Sequence, residues 1–564
     1  MLRRWLALVL ACCGGCNDSG RAAAPTAVTS PRVADAAEPV AVAGATSPSV
    51  ESIRADTREL ASDAMDGRRP GTEGGARAVA YIIERMTALG LAPGARDGGW
   101  TQRVPMRVVS VDASRSRLGF GRGDDVRPLV FGDDVVGTSL RPAGTLRFDA
   151  PLVFVGHGIT APEYDWDDYA GVEVDGAVVV VLVGDPPLAD GRFAGDALTY
   201  YGRWSYKFER ALAAGARGVL IVHDTEAASY GWSVVRNSWS RERFAIDDEV
   251  REPSPALAFE GWITHETADG LATRDGSSLA AWKADAIATG FRGHRLRDAF
   301  VGEIVTSDRT LADVNVVGAL PGTRADEAVV ITAHWDHLGH DATAAADADA
   351  IFNGAIDNAS GVAGMLAIAG TLRARVVSGR PLGRTVLFVA TTGEEEGLLG
   401  STYFAAHPPV PPTSLVAAVN LDSMNVDGRT RSVQVIGPGQ STLEDLLAEV
   451  TAAEGRTVVP DEHPESGGYF RSDHFALARV GVPAIYLRGG SDMEAGGRAQ
   501  GQALGEVRAQ HYHSVDDEFD PAWSFAGTLQ DALTVASLVA RVADDAARPQ
   551  WKPGASVPGV IAPR

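Results

Sequence analysis

From about residue 310 onward, short apolar runs alternate with stretches whose apolar positions recur at helical spacing. The runs typical of buried strands are Ala328–Ala333, Thr385–Ala390, Leu415–Leu421, Val433–Ile436 and Pro483–Leu487. The predicted helices are Val362–Arg375, Leu443–Ala453 and Ala526–Val542. Strands and helices that alternate along a chain predict a mostly parallel sheet with helices on both faces. We therefore predict an α/β fold for this part of the chain.

Two further regions precede it. Residues 51–91 carry apolar positions at helical spacing, with Gly90 as a stop. From about residue 104 to 290 the pattern is mostly that of strands, with apolar runs at Val153–Gly156 and Ala177–Val183. A length of 564 residues is consistent with two to four domains. The pattern thus predicts a mostly β segment between two parts of the chain that contain helices.

The amino terminus has the pattern of a bacterial export signal. Residues 1–16 combine a positive start with an apolar stretch too short to span a membrane. An aliphatic and a small residue precede Cys12, as in lipoproteins, and Cys16 is a second candidate for lipidation. Residues 17–50 have the composition of a flexible tether. We expect an exported protein with a lipid anchor in the bacterial cell envelope, on its periplasmic or surface side.

Charge and cysteine content narrow the possible chemistry. A formal net charge of −22 argues against nucleic acid and against anionic lipid surfaces as partners. All three cysteines lie within the first 16 residues, so the body has no disulfide and no thiolate metal site. A metal ion in the body would therefore be held by histidine and carboxylate side chains. The body also lacks the G-x-S-x-G pattern of a serine nucleophile.

Histidine and carboxylate residues follow three of the predicted strands. The residues that come at or shortly after a strand end are His334, Glu394 with Glu395, and Asp422. Because parallel strands end at the same edge of a sheet, these side chains are expected to lie close together. Asp357 before a predicted helix, and His513 near the carboxyl end, are further candidates. This set suits two zinc ions in an open catalytic site, in which a carboxylate is shared between metals about 3.5–4 Å apart. Residue types and spacing leave the role of each ligand open.

Five segments, in order, resemble the cocatalytic double-zinc aminopeptidase family. That family includes bacterial secreted aminopeptidases, aminopeptidase Y of yeast, glutamate carboxypeptidase II and the transferrin receptor. The segments read A-H-W-D-H-L-G, G-A-I-D-N-A-S-G, E-E-E-G-L-L-G-S, N-L-D and Y-H-S. The resemblance covers about residues 51–110 and 310–545. It implies a zinc-exopeptidase fold, with a mixed, mostly parallel sheet between helices.

The resemblance also implies a role for each residue. His334 and Asp422 would bind one zinc ion, and Glu395 and His513 the other. Asp357 would bridge the two ions. In the catalytic roles, Glu394 would be the general base that takes a proton from water, Asp336 would orient His334, and Tyr512 would donate a hydrogen bond to the oxyanion. The implied activity is removal of amino-terminal residues from peptide substrates.

The middle of the chain resembles a protease-associated domain, predicted here over residues 140–290. The resemblance implies that this β-rich domain is inserted into the peptidase domain. The resemblance rests on the segments F-V-G-H-G-I and A-A-G-A-R-G-V. We interpret His157, which lies in the first of them, as a turn residue. Residues 547–564, which contain four prolines and two glycines, are predicted to form a loose tail.

Three alternatives to an aminopeptidase remain open at this stage. A carboxypeptidase for acidic peptides would need arginines in its pocket, for which Arg471 and Arg488 are candidates. A glutaminyl cyclase with one zinc ion, and a receptor-like protein without metals, are the others. His337 and His340 are interpreted as loop residues or as residues that support a ligand. Ser472-Asp473-His474 is interpreted as a pocket segment that contains no ligand. Oligomeric state and side-chain specificity are not predicted.

Overall fold

The computed structural model describes residues 48–228, 230–247, 256–341, 344–345 and 347–557. The predicted export signal, residues 1–16, and all but the last three residues of the predicted tether, residues 17–50, lie outside this part of the chain. The first described helix begins beside them, where the Ser49 and Ser52 side chains accept hydrogen bonds from each other's backbone N–H groups.

Helices account for much of the surface of the molecule. Several begin after a serine or threonine whose hydroxyl accepts a backbone N–H, as Thr72 and Ser278 do. The α-helices are α1 (Val50–Leu60), α2 (Glu73–Ala88), α3 (Trp204–Ala213), α4 (Thr225–Ala228), α5 (Trp232–Trp239), α6 (His265–Arg274), α7 (Leu279–Ala286), α8 (Gly361–Val377), α9 (Leu399–Ala406), α10 (Leu443–Ala453), α11 (His474–Arg479), α12 (Gly497–His511) and α13 (Ala526–Asp544).

Most of the strands belong to one extended, mixed sheet. The strands are β1 (Ala92–Pro93), β2 (Thr101–Val111), β3 (Arg117–Arg122), β4 (Asp125–Leu129), β5 (Val135–Thr138), β6 (Gly144–Phe154), β7 (Thr160–Ala161), β8 (Trp166–Asp167), β9 (Val178–Leu182), β10 (Gly218–Val222), β11 (Arg243–Ile246), β12 (Phe259–Ile263), β13 (His294–Leu320), β14 (Arg324–His334), β15 (Gly339–His340), β16 (Ile351–Phe352), β17 (Arg384–Thr391), β18 (Leu415–Asn420), β19 (Ser432–Ile436), β20 (Thr457–Pro460) and β21 (Ala484–Gly489).

The carboxyl-terminal half of the chain builds a mixed sheet around β14. This strand lies between β17 and β18 and is parallel to both, and β21 continues the parallel set beyond β18. Strands β13 and β19 pair antiparallel on the two sides. Val329 and Ile331 pack towards α1, α8 and α13, whereas Val330 packs towards α9 and α11. The predicted α/β class, with helices on both faces, is confirmed.

Helix α8 is the central helix of the first face. Its residues from Gly361 to Gly370 are all buried. With the preceding turn it is long and apolar enough to cross a membrane, by length and composition alone, but two-thirds (67%) of that stretch is buried within the protein. Burial on all sides is the environment of a core helix, which explains why its first ten residues, Gly361 to Gly370, are all apolar.

The 27-residue strand β13 connects the two halves of the fold. Its first part pairs with β6 and β3, and its second part pairs with β2 and then with β17. Strands β6, β9, β10 and β12 are successive parallel neighbours. Parallel neighbours need a crossover connection, and α3 lies between β9 and β10 while α4 and α5 lie between β10 and β12. With α6 and α7 after β12, these helices lie in a region that the sequence pattern had predicted to be mostly β. The boundaries of 140–290 as a separate domain stay a prediction.

The end of the described chain is attached to the sheet. The Trp551 indole N–H donates to the Gly481 carbonyl at 3.0 Å, and the Gln550 N–H donates to Thr442 Oγ1 at 2.9 Å. Val557 is buried in the cluster on the α9 and α11 face. The prediction of a loose tail is therefore wrong for residues 547–557, because Trp551 and Val557 add apolar area to the core. Residues 558–564 lie outside the described part.

Candidate active site

The predicted site residues come together where the central strands end. His334 is the last residue of β14, and Asp422 follows β18 by two positions. Glu394 and Glu395 follow β17 after two intervening residues, Thr392 and Gly393. Since β17 and β18 flank β14 and run parallel to it, their carboxyl ends lie at one edge of the sheet. The strand order thus explains why these residues meet.

Asp357 reaches this edge from an irregular helical turn, Ala355–Ser360, that precedes α8. The turn begins at Gly354, whose φ is +56°. A Cβ atom on Gly354 would lie 2.2 Å from the Asp357 carbonyl oxygen and 2.6 Å from His337 Cδ2. Glycine is therefore required at this position both for its backbone conformation and for the close approach.

The two oxygens of Asp357 face two different groups of side chains. Oδ1 lies 3.1 Å from His334 Nε2, and His334 Nε2 lies 3.7 Å from Asp422 Oδ1. Oδ2 lies 3.3 Å from His513 Nε2, and His513 Nε2 lies 3.0 Å from Glu395 Oε2. Asp357 is thus shared between a His334–Asp422 pair and a His513–Glu395 pair.

These side chains fit divalent metal ions. Two groups of three residues have ligand atoms that all lie within 4.8 Å of one another. One group is His334, Asp357 and Glu395, and the other is His334, Glu394 and Asp422. His334 Nε2 is buried and has no hydrogen-bond partner, which is the condition of a ligand atom. Several buried carboxylates in one place repel one another unless cations neutralise them. Histidine and carboxylate donors are the set that zinc takes in catalytic sites.

The main chain of Asp336 contacts His334. His334 Nδ1 lies 3.1 Å from the Asp336 carbonyl oxygen, whereas the Asp336 carboxylate is 3.9 Å from the same nitrogen. That carboxylate instead accepts the Glu394 backbone N–H at 3.2 Å. The expectation that the Asp336 carboxylate orients His334 is therefore corrected. The backbone turn after β14 brings the carbonyl closer, and the carboxylate fixes the loop that carries Glu394.

Glu394 is held in an environment that favours its protonated form when no cation is near. Burial raises the pKa of Glu394 well above its usual range. The positive charge of His334 opposes this shift, while the neighbouring Glu395 and Asp422 reinforce it. A carboxyl group that holds its proton more tightly is better suited to accept one from water at neutral pH.

His513 and Tyr512 lie on the open side of the cluster. Burial would lower the pKa of His513, but Glu395 and Asp357 raise it to about 10. The Tyr512 ring stacks on the His513 ring with centroids 3.9 Å apart, and Tyr512 is 56% exposed. Among the described residues, the Tyr512 hydroxyl makes no hydrogen bond. Its position at the surface leaves it free to meet a bound molecule.

The Ser472-Asp473-His474 segment contacts the residues of the cluster and of β17. The Ser472 hydroxyl donates to Asp422 Oδ2 at 2.7 Å, and Asp473 accepts a hydrogen bond from the Thr391 hydroxyl. His474 is fully buried, and burial lowers its pKa to about 3. That none of the three is a ligand stays a prediction.

One of two supporting residues was not predicted from the sequence. His337, interpreted from the sequence as a loop residue or as one that supports a ligand, has its Nδ1 2.6 Å from Glu395 Oε1. Asp517 accepts the backbone N–H of Ile356 at 2.9 Å and that of Asp357 at 3.0 Å. Its spacing after His513 carries no ligand signature, so sequence alone offers no means of finding it. His340 lies apart, 3.3 Å from Asp66.

Arg68 is a second residue that sequence analysis missed. It lies in the loop between α1 and α2, is 1% exposed, and donates to four carbonyl oxygens. The acceptors are Trp335 at 2.9 Å, Leu60 at 2.5 Å, Asn353 at 2.6 Å and Gly354 at 2.9 Å. Burial lowers the pKa of Arg68 to about 10, which leaves it charged at neutral pH. Arg68 thereby joins the loop after His334 to the loop before Asp357.

An α/β sheet with a buried histidine and carboxylate cluster at its carboxyl edge fits a metal-dependent hydrolase. Residues 315–537 match the model of Peptidase family M28. This part of the chain contains all the candidate metal ligands and Glu394, and its similarity to M28 peptidases places the protein in the class of the metallopeptidases.

Several solved structures are similar to this chain. The aminopeptidase from Aneurinibacillus sp. strain AM-1 is 20% identical, with 92% of this chain and 96% of that chain covered and a TM-score of 0.48. BSAP, a zinc aminopeptidase from Bacillus subtilis, is 17% identical, with 88% and 95% covered and a TM-score of 0.42. A peptidase M28 precursor from Shewanella amazonensis SB2B is 16% identical, with 89% and 97% covered and a TM-score of 0.42. No curated protein sequence matches this chain.

Proposed function

We propose that this protein is a zinc aminopeptidase that hydrolyses the amino-terminal peptide bond of peptides with two zinc ions and a glutamate base. The observation that carries the proposal is the position of Asp357, each of whose oxygens faces a separate histidine and carboxylate pair. A shared carboxylate between two such pairs is how two-metal hydrolases are built. The M28 match and the five sequence segments support the same conclusion.

The proposed ligands divide into two sets. His334 and Asp422 would hold one zinc ion, His513 and Glu395 the other, and Asp357 both. When bound, zinc polarises the scissile carbonyl group and lowers the pKa of water. The Asp336 carbonyl, 3.1 Å from His334 Nδ1, favours the tautomer that leaves Nε2 free as the ligand atom.

Glu394 is the proposed general base. It lies beside the cluster, with a carboxylate oxygen within 4.8 Å of ligand atoms on His334 and Asp422. It would accept a proton from the attacking water and deliver it to the amine that leaves. Tyr512, exposed and stacked on His513, is the proposed hydrogen-bond donor to the carbonyl oxygen of the substrate.

The location of the protein follows from the first residues of the chain. We propose that the protein is exported and anchored by a lipid on Cys12 or Cys16, which would place the enzyme among peptides of the cell envelope. The segment over residues 140–290 is proposed to be a protease-associated domain. Its close packing against the peptidase sheet through Tyr200 and Phe475, whose rings are 4.9 Å apart, supports a place near the substrate entrance.

The test is a comparison of free and blocked amino termini. Zinc-loaded protein is assayed on a panel of aminoacyl-nitroanilides and on peptides with acetylated amino termini, before and after treatment with a chelator. We expect chelator-sensitive hydrolysis of the free-amino substrates only, and a loss of at least a hundredfold in kcat in Glu394→Gln. Glu396→Gln is the matched control, because Glu396 belongs to the same loop but faces Arg69 at 3.6 Å.

Other results would favour the alternatives. Release of carboxyl-terminal residues would indicate a carboxypeptidase, and cyclisation of amino-terminal glutamine would indicate a glutaminyl cyclase. Metal analysis by mass spectrometry separates one bound zinc ion from two. A protein that binds no zinc at all would contradict the proposal and favour a receptor-like role.

A further inference from the structure

Two arginines from distant parts of the chain meet beside the candidate active site. Arg203 immediately precedes α3, and Arg471 immediately follows the Gly468–Phe470 turn. The loops that carry them are packed together: the Tyr200 ring lies 5.8 Å from the Phe470 ring, and the Leu198 N–H donates to the Pro464 carbonyl at 3.0 Å. This packing holds the two guanidinium groups in one region.

The region adjoins the proposed zinc ligands. Arg471 is followed by Ser472, whose hydroxyl donates to Asp422 at 2.7 Å. Both arginines interact electrostatically with Tyr512, the neighbour of His513. The arginine pair therefore lies beside the side chains that would contact a substrate.

Neither arginine has a negatively charged partner in the part of the chain that the structure describes. The Nε atoms of Arg203 and Arg471 are buried and make no hydrogen bond. Neighbouring arginines are paired, as Arg479 is with Glu209 at 2.8 Å and Arg508 with Asp427 at 2.9 Å. Burial, and then the charge of Arg471, lower the pKa of Arg203 to about 10. Two like charges with unsatisfied buried donors are costly unless an anion binds between them.

We propose that Arg203 and Arg471 form a subsite that binds a carboxylate group of the peptide substrate. The planar guanidinium group matches a carboxylate with two parallel hydrogen bonds. The carboxylate belongs either to the carboxyl terminus of a short peptide or to an acidic side chain beyond the scissile bond. This inference rests on the proposed aminopeptidase activity, and it makes short or acidic peptides the preferred substrate class. On a protein of net charge −22, such a pair also offsets repulsion of these substrates.

The experiment compares substrates that differ only in the carboxylate. The zinc-loaded full chain is assayed on Ala-Ala and Ala-Ala-amide for a terminal carboxylate, and on Ala-Glu-amide and Ala-Gln-amide for an acidic side chain. In one of these two substrate pairs, we expect kcat/KM to be about tenfold higher for the peptide that carries the carboxylate, mainly because its KM is lower. Arg203→Gln and Arg471→Gln should each bring that ratio close to one, and Arg203→Lys should keep part of it. Arg479→Gln, whose arginine already has Glu209 as a partner, is the control that should leave the ratio unchanged.

A binding measurement keeps the subsite testable whatever the activity. Isothermal titration of the Glu394→Gln protein with Ala-Ala and Ala-Ala-amide, and with the second pair, gives the same ratio without turnover. Equal affinity within both pairs, or a preference that survives both arginine substitutions, would overturn the subsite while leaving an aminopeptidase intact. Carboxylate-dependent binding that Arg203→Gln abolishes would support the subsite even if no free-amino peptide is hydrolysed, and in that case the proposed function alone would fail.

Discussion

Replacement of Arg68 by methionine should weaken zinc binding and destabilise the fold together. Methionine keeps an apolar side chain of similar reach but removes all four donated hydrogen bonds. Three of the acceptors, the carbonyls of Trp335, Asn353 and Gly354, belong to the loops that carry His334 and Asp357. The substitution would therefore leave buried carbonyl groups without donors at the positions that hold the ligands.

The size of the effect follows from these contacts. A hydrogen bond from a charged donor contributes about 1.5–3 kcal/mol net, and an unsatisfied buried acceptor costs about 1–3 kcal/mol. Because the four bonds share one side chain and some carbonyls can recruit water, we expect about 4 kcal/mol in the free energy of unfolding rather than the full sum. Misplaced loops should also reduce zinc affinity about 10–100-fold, as loss of a residue that orients metal ligands commonly does.

The assay has two readouts. Urea unfolding of the metal-free protein gives the stability change, and competition with a chromophoric chelator gives zinc affinity. Arg69→Met is the matched control. Arg69 lies next in the loop, but its ion pairs with Glu396 and Glu242 are partly exposed and worth about 0–1 kcal/mol, and its guanidinium group lies over the Phe244 ring rather than donating to the ligand loops. If Arg68→Met binds zinc as tightly as the wild type and unfolds within about 1 kcal/mol of it, the role assigned to Arg68 is refuted.

Three further predictions concern other parts of the chain. Asp517→Asn should weaken zinc binding about tenfold, because Asp517 accepts the backbone N–H groups of Ile356 and Asp357, and unchanged affinity in the chelator assay would contradict this role. Burial raises the pKa of Asp168 to about 6, so the stability that its protonated form contributes is complete below the ordinary pKa of aspartate and is lost as the pH rises through 6. Asp168→Asn should therefore reduce the loss of stability between pH 5 and pH 8 by about 1 kcal/mol, measured by urea unfolding at both pH values. Cys12→Ala should shift the protein from the membrane to the soluble fraction of cells, and retention in the membrane would instead indicate Cys16 as the anchor.

The site ligands could be predicted from strand ends and from the order of the motifs. The residues that support those ligands through contacts distant in sequence could not be predicted. His334 and Asp422 could be found because each follows an apolar run, and parallel strands of this kind end at one edge. Arg68 could not be found in this way, because its partners are backbone carbonyl groups, which no residue type reveals. One of them, Leu60, lies eight positions earlier, and the other three lie more than 260 positions away.

The fold shows the same division between local and long-range information. Helix α10 occurs over Leu443–Ala453, as predicted, since its apolar spacing is a local property. The helices between residues 200 and 290 were largely missed. The apolar runs there favoured strands, and only the parallel pairing of β9, β10 and β12 makes crossover helices necessary. Attachment of Trp551 to Gly481 likewise depends on a contact 70 positions apart.

The pairing of β2 with β13 has a consequence for protein engineering. Val111 and Thr306 are direct partners in that antiparallel ladder, so the chain leaves the peptidase sheet and returns to it at neighbouring points. Partners of this kind have Cα atoms about 4.5–5.5 Å apart, a gap that a two-residue hairpin turn closes. A short turn, or another module with adjacent termini, could therefore replace residues 112–305 between these two points, and the replacement would also remove β11, which pairs with β2.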